Sequence, residues 1–148
     1  MKHRVTVTVL KTTLDKELQA QYLADPNSGS CPCFKPGDTF EFWREPHRDD
    51  FYKFGRGCGL RAGEDSERDF PCSEAWDCIS RYIYTGLQGG AFMHNWTNDD
   101  RIMIACCNDG TRPVIFKLER IDIPEDASDE AYLRDHDFRS NAEDAYTG

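Results

Sequence analysis

The sequence predicts an α+β domain: a small antiparallel or barrel-like β-sheet, one main packed helix, and a shorter helix near the N-terminus. Three observations carry that expectation. Strictly alternating segments lie near both ends of the stretch from 4 to 121, and alternation marks half-buried strands. The segment "PCSEAWDCISRYIYTGLQGG" carries a strong apolar stripe at helical spacing,. There are too few other helical patterns to cover both faces of a parallel sheet.

The elements follow in order. "RVTVTVL" sets Val5, Val7 and Val9 on one face, with Thr6 and Thr8 on the other. In "TTLDKELQAQYLAD", Leu14, Leu18 and Leu23 form a rough helical stripe, with Thr12 or Thr13 as the cap and Pro26 beyond the end,. "DPNSGSCPC" is turn-rich,. "GDTFEFW" alternates again and puts Phe40 and Phe42 together. From Arg44 to Asp69 a long charged loop is expected, with one short strand at "DFYKFG",.

On the main helix Trp76, Ile79, Ile83 and Leu87 share a face. Ser73 is the expected cap, and Gly86 or Gly89 the stop. "RIMIACC" and "RPVIFKLERI" then read as strands joined by "NDGT". Asp-Gly between apolar strands predicts a tight primed turn with positive φ. The expected core is Trp76, Ile83, Val114, Phe116 and Phe40. Residues 1–123 read as one domain, and 124–148 as a flexible acidic tail that is dispensable for folding.

The chain has 148 residues, 39% of them hydrophobic and 30% charged, which is a soluble composition long enough to bury a core,. A net charge of -9 argues against nucleic acid and against an anionic membrane surface as partners,. Neither a membrane span nor a signal peptide is evident, so a cytoplasmic protein is expected. Seven cysteines in a reducing compartment are then thiols or metal ligands rather than stable disulfides,. An odd number cannot pair completely in any case.

Each thiol has a plain reading and a chemical one. Cys72 sits on the helix stripe four residues before Trp76 and suits a small buried hydrophobe. It also lies at the helix N-terminus, where free amides and the macrodipole favour an anion. Cys31 and Cys33 flank Pro32, and a C-x-C pair occurs in soft-metal sites. Cys106 and Cys107 point to opposite faces if their strand continues. Cys58 lies between glycines and Cys78 falls off the stripe. Asp109 and Gly110 suit a turn and Arg112 and Lys117 a plain surface, yet Arg112, stiffened by Pro113, can reach a carboxylate ligand or Asp109. His94, in "FMHNW", is the one histidine in an aromatic setting.

Three motifs carry a resemblance. They are Cys31-Pro32 with Phe34, Gly37 and Phe40; Cys72 before Ala75-Trp76; and Cys107, Asp109, Gly110, Arg112, Pro113, Val114, Phe116 and Lys117. The chain resembles a family of small bacterial and fungal proteins that read C-P-x-F-x-x-G-x-x-F, then a Cys before an Ala-Trp helix, then C-x-D-G-x-R-P-V-x-F-K. It departs at "PCSEAW", where the family has Pro and a bulky residue after the Cys. Cys33, Cys58, Cys78 and Cys106 fall outside the pattern.

The resemblance singles out Cys31, Cys72 and Cys107 and implies no reaction. If these three converge, they suit a soft metal such as zinc or copper, or an iron–sulfur cluster. The expected function is a small enzyme using this three-cysteine centre, as metal site or reactive thiol, on a small organic substrate. Asp109, Arg112 and His94 would then be acid, base or anion clamp. The alternative is a non-catalytic metal- or redox-sensing, or small-molecule-binding, module.

Overall fold

In the computed structural model, the structure describes residues 1–44, 60–62 and 70–125. The elements are β1 (Lys2–Lys11), α1 (Lys16–Tyr22), β2 (Thr39–Arg44), β3 (Leu60–Ala62), α2 (Ser73–Leu87), β4 (Ile102–Cys106) and β5 (Ile115–Ile123). The strands form one sheet in the order β3-β2-β1-β5-β4, and every pairing is antiparallel. The sheet is open, with β3 and β4 as its edges, so the barrel-like alternative is not formed. The α+β class, the packed helix and the shorter N-terminal helix stand as expected. Among the described residues no helix is long and apolar enough to cross a membrane.

The core forms where α2 lies on one sheet face. Val5, Val7 and Val9 of β1 meet Phe116 and Leu118 of β5, Phe42 of β2 and Met103 of β4. Ala75, Trp76, Ile79 and Ile83 cover them from α2. Of the five expected core residues, Trp76, Ile83, Val114 and Phe116 are buried, while Phe40 is partly buried against the cluster. The opposite sheet face holds a feature that alternation hid. Glu41 is buried there, accepting from the Thr6 hydroxyl at 2.8 Å with Arg4 Nε at 3.7 Å.

α2 has the predicted bounds, but its N-cap is Cys72 rather than Ser73. The Cys72 backbone is extended and its carbonyl accepts the Trp76 N–H at 3.0 Å, with no side-chain capping bond. At the other end Gly89 has φ +79°, the left-handed conformation that closes helices,. Arg120 Nη1 donates to the carbonyls of Gly89 and Gly90 at 2.9 and 2.7 Å, binding the end of α2 to β5.

Gly86 faces the core inside α2. A Cβ there would stand 2.6 Å from Val5 Cγ2 and 2.8 Å from Phe92 Cζ. On an exposed helix, Gly to Ala is favourable by about 1 kcal/mol. Here the expected sign is reversed: Gly86→Ala destabilises by about 1–3 kcal/mol through overpacking. Urea unfolding checks this, and a stabilised variant would mean that Val5 and Phe92 give way freely.

α1 departs from its expected packing. Its N-cap is Asp15, whose carboxylate accepts the Leu18 N–H at 3.0 Å, not Thr12 or Thr13. Leu14 and Leu18 are each 37% exposed, and the residue it buries is Gln19. The helix is held by polar ties instead of an apolar stripe: Asp15 N–H donates to the Thr111 carbonyl at 2.8 Å, and Gln19 bonds to the 29–30 turn.

The link between β4 and β5 also differs. It spans 107–114 rather than a two-residue turn, and Gly110 does not have positive φ. Asp109 accounts for the change. Its Oδ1 accepts the Thr111 N–H at 2.9 Å, so a side chain closes the bend that a primed turn would have made with backbone alone,. The expected strand at "DFYKFG", Cys58, and residues 126–148 of the tail lie outside the described residues. β3 was not foreseen within the long charged segment.

Candidate functional site: a cysteine-lined rim

One end of the sheet gathers most of the thiols, and strand register explains why. Thr8 pairs with Thr39, and Lys11 and Cys106 both pair with Ile115. The start of β2, the end of β1, the start of β5 and the end of β4 therefore share one rim. The loop carrying Cys31 and Cys33 leads into β2, and Cys107 leaves β4.

Aromatic packing adds the helix. Phe34, just after Cys33, is buried with its ring centroid 5.6 Å from that of Phe70, which lies two residues before Cys72. Phe34 also meets Phe116 edge-on at 5.1 Å. The C-P-C segment and the N-terminus of α2 are thus anchored to the same ring cluster. From the third side Asn108 Nδ2 donates to Glu74 Oε2 at 3.1 Å, holding the 107–114 link against the first turn of α2.

Polar ties hold the C-P-C loop from below. Arg112 Nη1 donates to the Gly29 carbonyl at 3.2 Å, the Ser30 carbonyl at 3.3 Å and Ser28 Oγ at 3.4 Å. Its Nε donates to Asp109 Oδ2 at 3.0 Å. Gln19 accepts the Gly29 N–H at 2.9 Å and donates to the Gly29 carbonyl at 3.0 Å. Gln19 had no role in the sequence reading. Nothing in the sequence marked it, since its burial depends on Gly29 and Thr111 lying opposite.

The sulfurs themselves differ. The Cys33 backbone N–H donates to Cys31 Sγ at 3.4 Å. Burial pushes the Cys33 thiol up, with further upward contributions from the charge of Cys31, a hydrogen bond between the two side chains, and Cys72. Arg112 pulls the other way and does not prevail. Burial likewise raises the Cys78 thiol, reinforced by Cys106 and Cys107 and by Asp77 and Glu74. Cys107 Sγ accepts the Val114 N–H at 3.3 Å, which ties it into its own loop. Cys107 packs against the core while Cys106 is exposed, the opposite facing that alternation implied.

The structure thus brings Cys31 and Cys72 to one rim with Cys107, and it adds Cys33 and Cys78. Among the described residues no three His, Cys, Asp or Glu side chains form a group that could hold a metal ion. The shared-metal arrangement of Cys31, Cys72 and Cys107 finds no such set there.

The acid–base candidates separate from one another. Asp109 and Arg112 are at the rim, but their bonds run to Thr111, to each other and to the 28–30 carbonyls and hydroxyl. His94 lies beyond the opposite end of α2, a helix about 22 Å long at 1.5 Å per residue,. Its side chain is 72% exposed and pairs with Asp100 through Nδ1 at 2.6 Å. It does not join the cysteines.

The Asp109 contacts set a pH dependence. Burial opposes its charge, but the Thr111 N–H and hydroxyl and the Arg112 guanidinium outweigh that and hold the carboxyl below the usual range. A depressed folded value means stability that is fully present above the unfolded value, near 4, and lost as pH falls through the lower folded value. The stability gap between wild type and Asp109→Asn is therefore expected to narrow as pH falls from about 5 to about 3. Unfolding curves at each pH measure it, and a constant gap would remove Asp109 from the link's support.

No protein-family model, curated protein or solved structure matches this chain.

Proposed function

We propose that the protein is a small redox-responsive thiol module, working through its rim cysteines on small-molecule partners. The carrying observation is the pairing of Cys31 with Cys33 beside Cys72, on a loop pinned from both sides. The motifs that the chain shares in resemblance include two of these three thiols. Thiol chemistry also fits what surrounds them. Asp109 and Arg112 are committed to shaping the loop, and His94 stands at the far end of the helix.

The acidic balance suits the same reading, because a chain of net charge -9 repels polyanions and leaves small molecules as partners,. The test is equilibration of the full chain in glutathione buffers of increasing oxidation, with free thiols counted and far-UV circular dichroism recorded. A reversible two-electron step in the folded protein is expected. Thiols that change state only when the chain unfolds would overturn the proposal.

A further inference from the structure

Resting on that thiol reading, we infer that Cys31 and Cys33 form a dithiol–disulfide pair that exchanges with low-molecular-weight disulfides of the glutathione type, with Cys31 attacking and Cys33 resolving.

The geometry supports this pair over others at the rim. The two cysteines are separated by Pro32 alone, whose fixed φ limits the shapes the segment can take,. The Cys33 N–H already points at Cys31 Sγ from 3.4 Å, so the chain is folded back on itself between them. Both flanks are fixed. Ser30 is held through its carbonyl by Arg112, and Phe34 is buried among Phe40, Phe70 and Phe116. Closing a bond inside this segment therefore moves little else. Cys107, by contrast, has its sulfur tied to Val114 within its own loop.

The hydrogen bond to sulfur sets the order. Cys31 is the sulfur on which the Cys33 N–H converges, and it stands half-buried at the edge of the loop. Cys33 is exposed, free to swing onto the Cys31 sulfur as the second nucleophile. In the first step the Cys31 sulfur, its proton released to solvent, attacks one sulfur of the small disulfide. That S–S bond breaks, a protein–small-thiol mixed disulfide forms, and one small thiol leaves after taking up a proton. In the second step the Cys33 sulfur, deprotonated in turn, attacks the Cys31 sulfur and displaces the second small thiol. Two protein thiols are oxidised to one disulfide, and the small disulfide is reduced to two thiols. An exposed bond closed across a single residue belongs to the labile class of disulfides, so reduction by excess small thiol runs the same steps backwards.

The test uses the full chain, equilibrated with mixtures of reduced and oxidised glutathione, quenched with acid, alkylated and mapped by mass spectrometry. The expected product is a peptide containing Cys31 and Cys33 that is lighter by two hydrogens, with the other five of the seven cysteines alkylated. In Cys33→Ser the second step is removed, and the mixed disulfide with glutathione is expected to accumulate at Cys31. Cys106→Ser is expected to match wild type. A disulfide that maps to Cys72 or Cys107 would overturn the pairing while leaving the thiol module standing. So would a Cys33→Ser protein that carries glutathione elsewhere but not on Cys31. If no rim cysteine changes state in the folded chain, the functional reading falls together with the pair.

Discussion

Phe116→Ala is expected to destabilise the protein by about 3–5 kcal/mol, the range for removing a fully buried aromatic side chain. Phe116 has no exposed surface. It sits on β5 at the centre of the core, edge-on to Phe34 at 5.1 Å and with Phe70 at 6.5 Å. Its loss removes apolar contact and leaves a cavity that a sheet strand cannot collapse into, because β5 is bonded on both sides by β1 and β4. It also removes a wall from the ring cluster that anchors the C-P-C loop and the α2 N-terminus. Phe40→Ala, at a partly buried position, should cost less. Denaturant unfolding of both variants measures the difference. A change below about 1 kcal/mol for Phe116→Ala would place the residue among surface positions.

Gln19→Leu is expected to cost about 2–3 kcal/mol, although it puts an apolar residue where only 2% of the surface is exposed,. The amide of Gln19 satisfies both the N–H and the carbonyl of Gly29, and reaches Thr111 Oγ1 at 3.3 Å. Leucine supplies none of these bonds: the Gly29 N–H loses its acceptor, and the Gly29 carbonyl keeps only Arg112,. The effect should be local as well as global. Hydrogen exchange at residues 28–33 is expected to quicken more than exchange in α2. An unchanged exchange rate at Gly29 would show that Arg112 alone holds the loop.

Much of this protein was legible in its residues, and the reasons are local. Val5, Val7 and Val9 alternate with threonines, so β1 could be read without knowing its neighbours. The Trp76–Ile79–Ile83 stripe marked α2 and its buried face, because periodicity of 3.6 residues is a property of the chain alone. The stop was legible as Gly86 or Gly89, and the structure decides for Gly89, with Gly86 inside the helix,.

The misreadings have other causes. Asp109 turned a predicted tight hairpin into an eight-residue link by using its side chain in place of backbone. The leucines before and within α1 looked like a core stripe, yet the helix is held by Asp15 and Gln19, both of which bond to Thr111 far along the chain. The α1 partners lie beyond the reach of spacing, whereas Asp109 closes on Thr111 two residues away, a local bond competing with the primed turn,.

The sequence by itself determined the α+β class, the bounds of α2 and four of the five named core residues. Tertiary structure alone decided which thiols meet. Cys33 lies beside Cys31 because the loop folds back, and Cys72 joins them because Phe34 packs on Phe70. It alone decided that Asp109 and Arg112 shape a loop, and that a helix about 22 Å long separates His94 from Cys72,. The physical reason is range. Propensity and periodicity act within a few residues, whereas the rim is assembled by antiparallel register and by side chains bonded across more than eighty positions of chain.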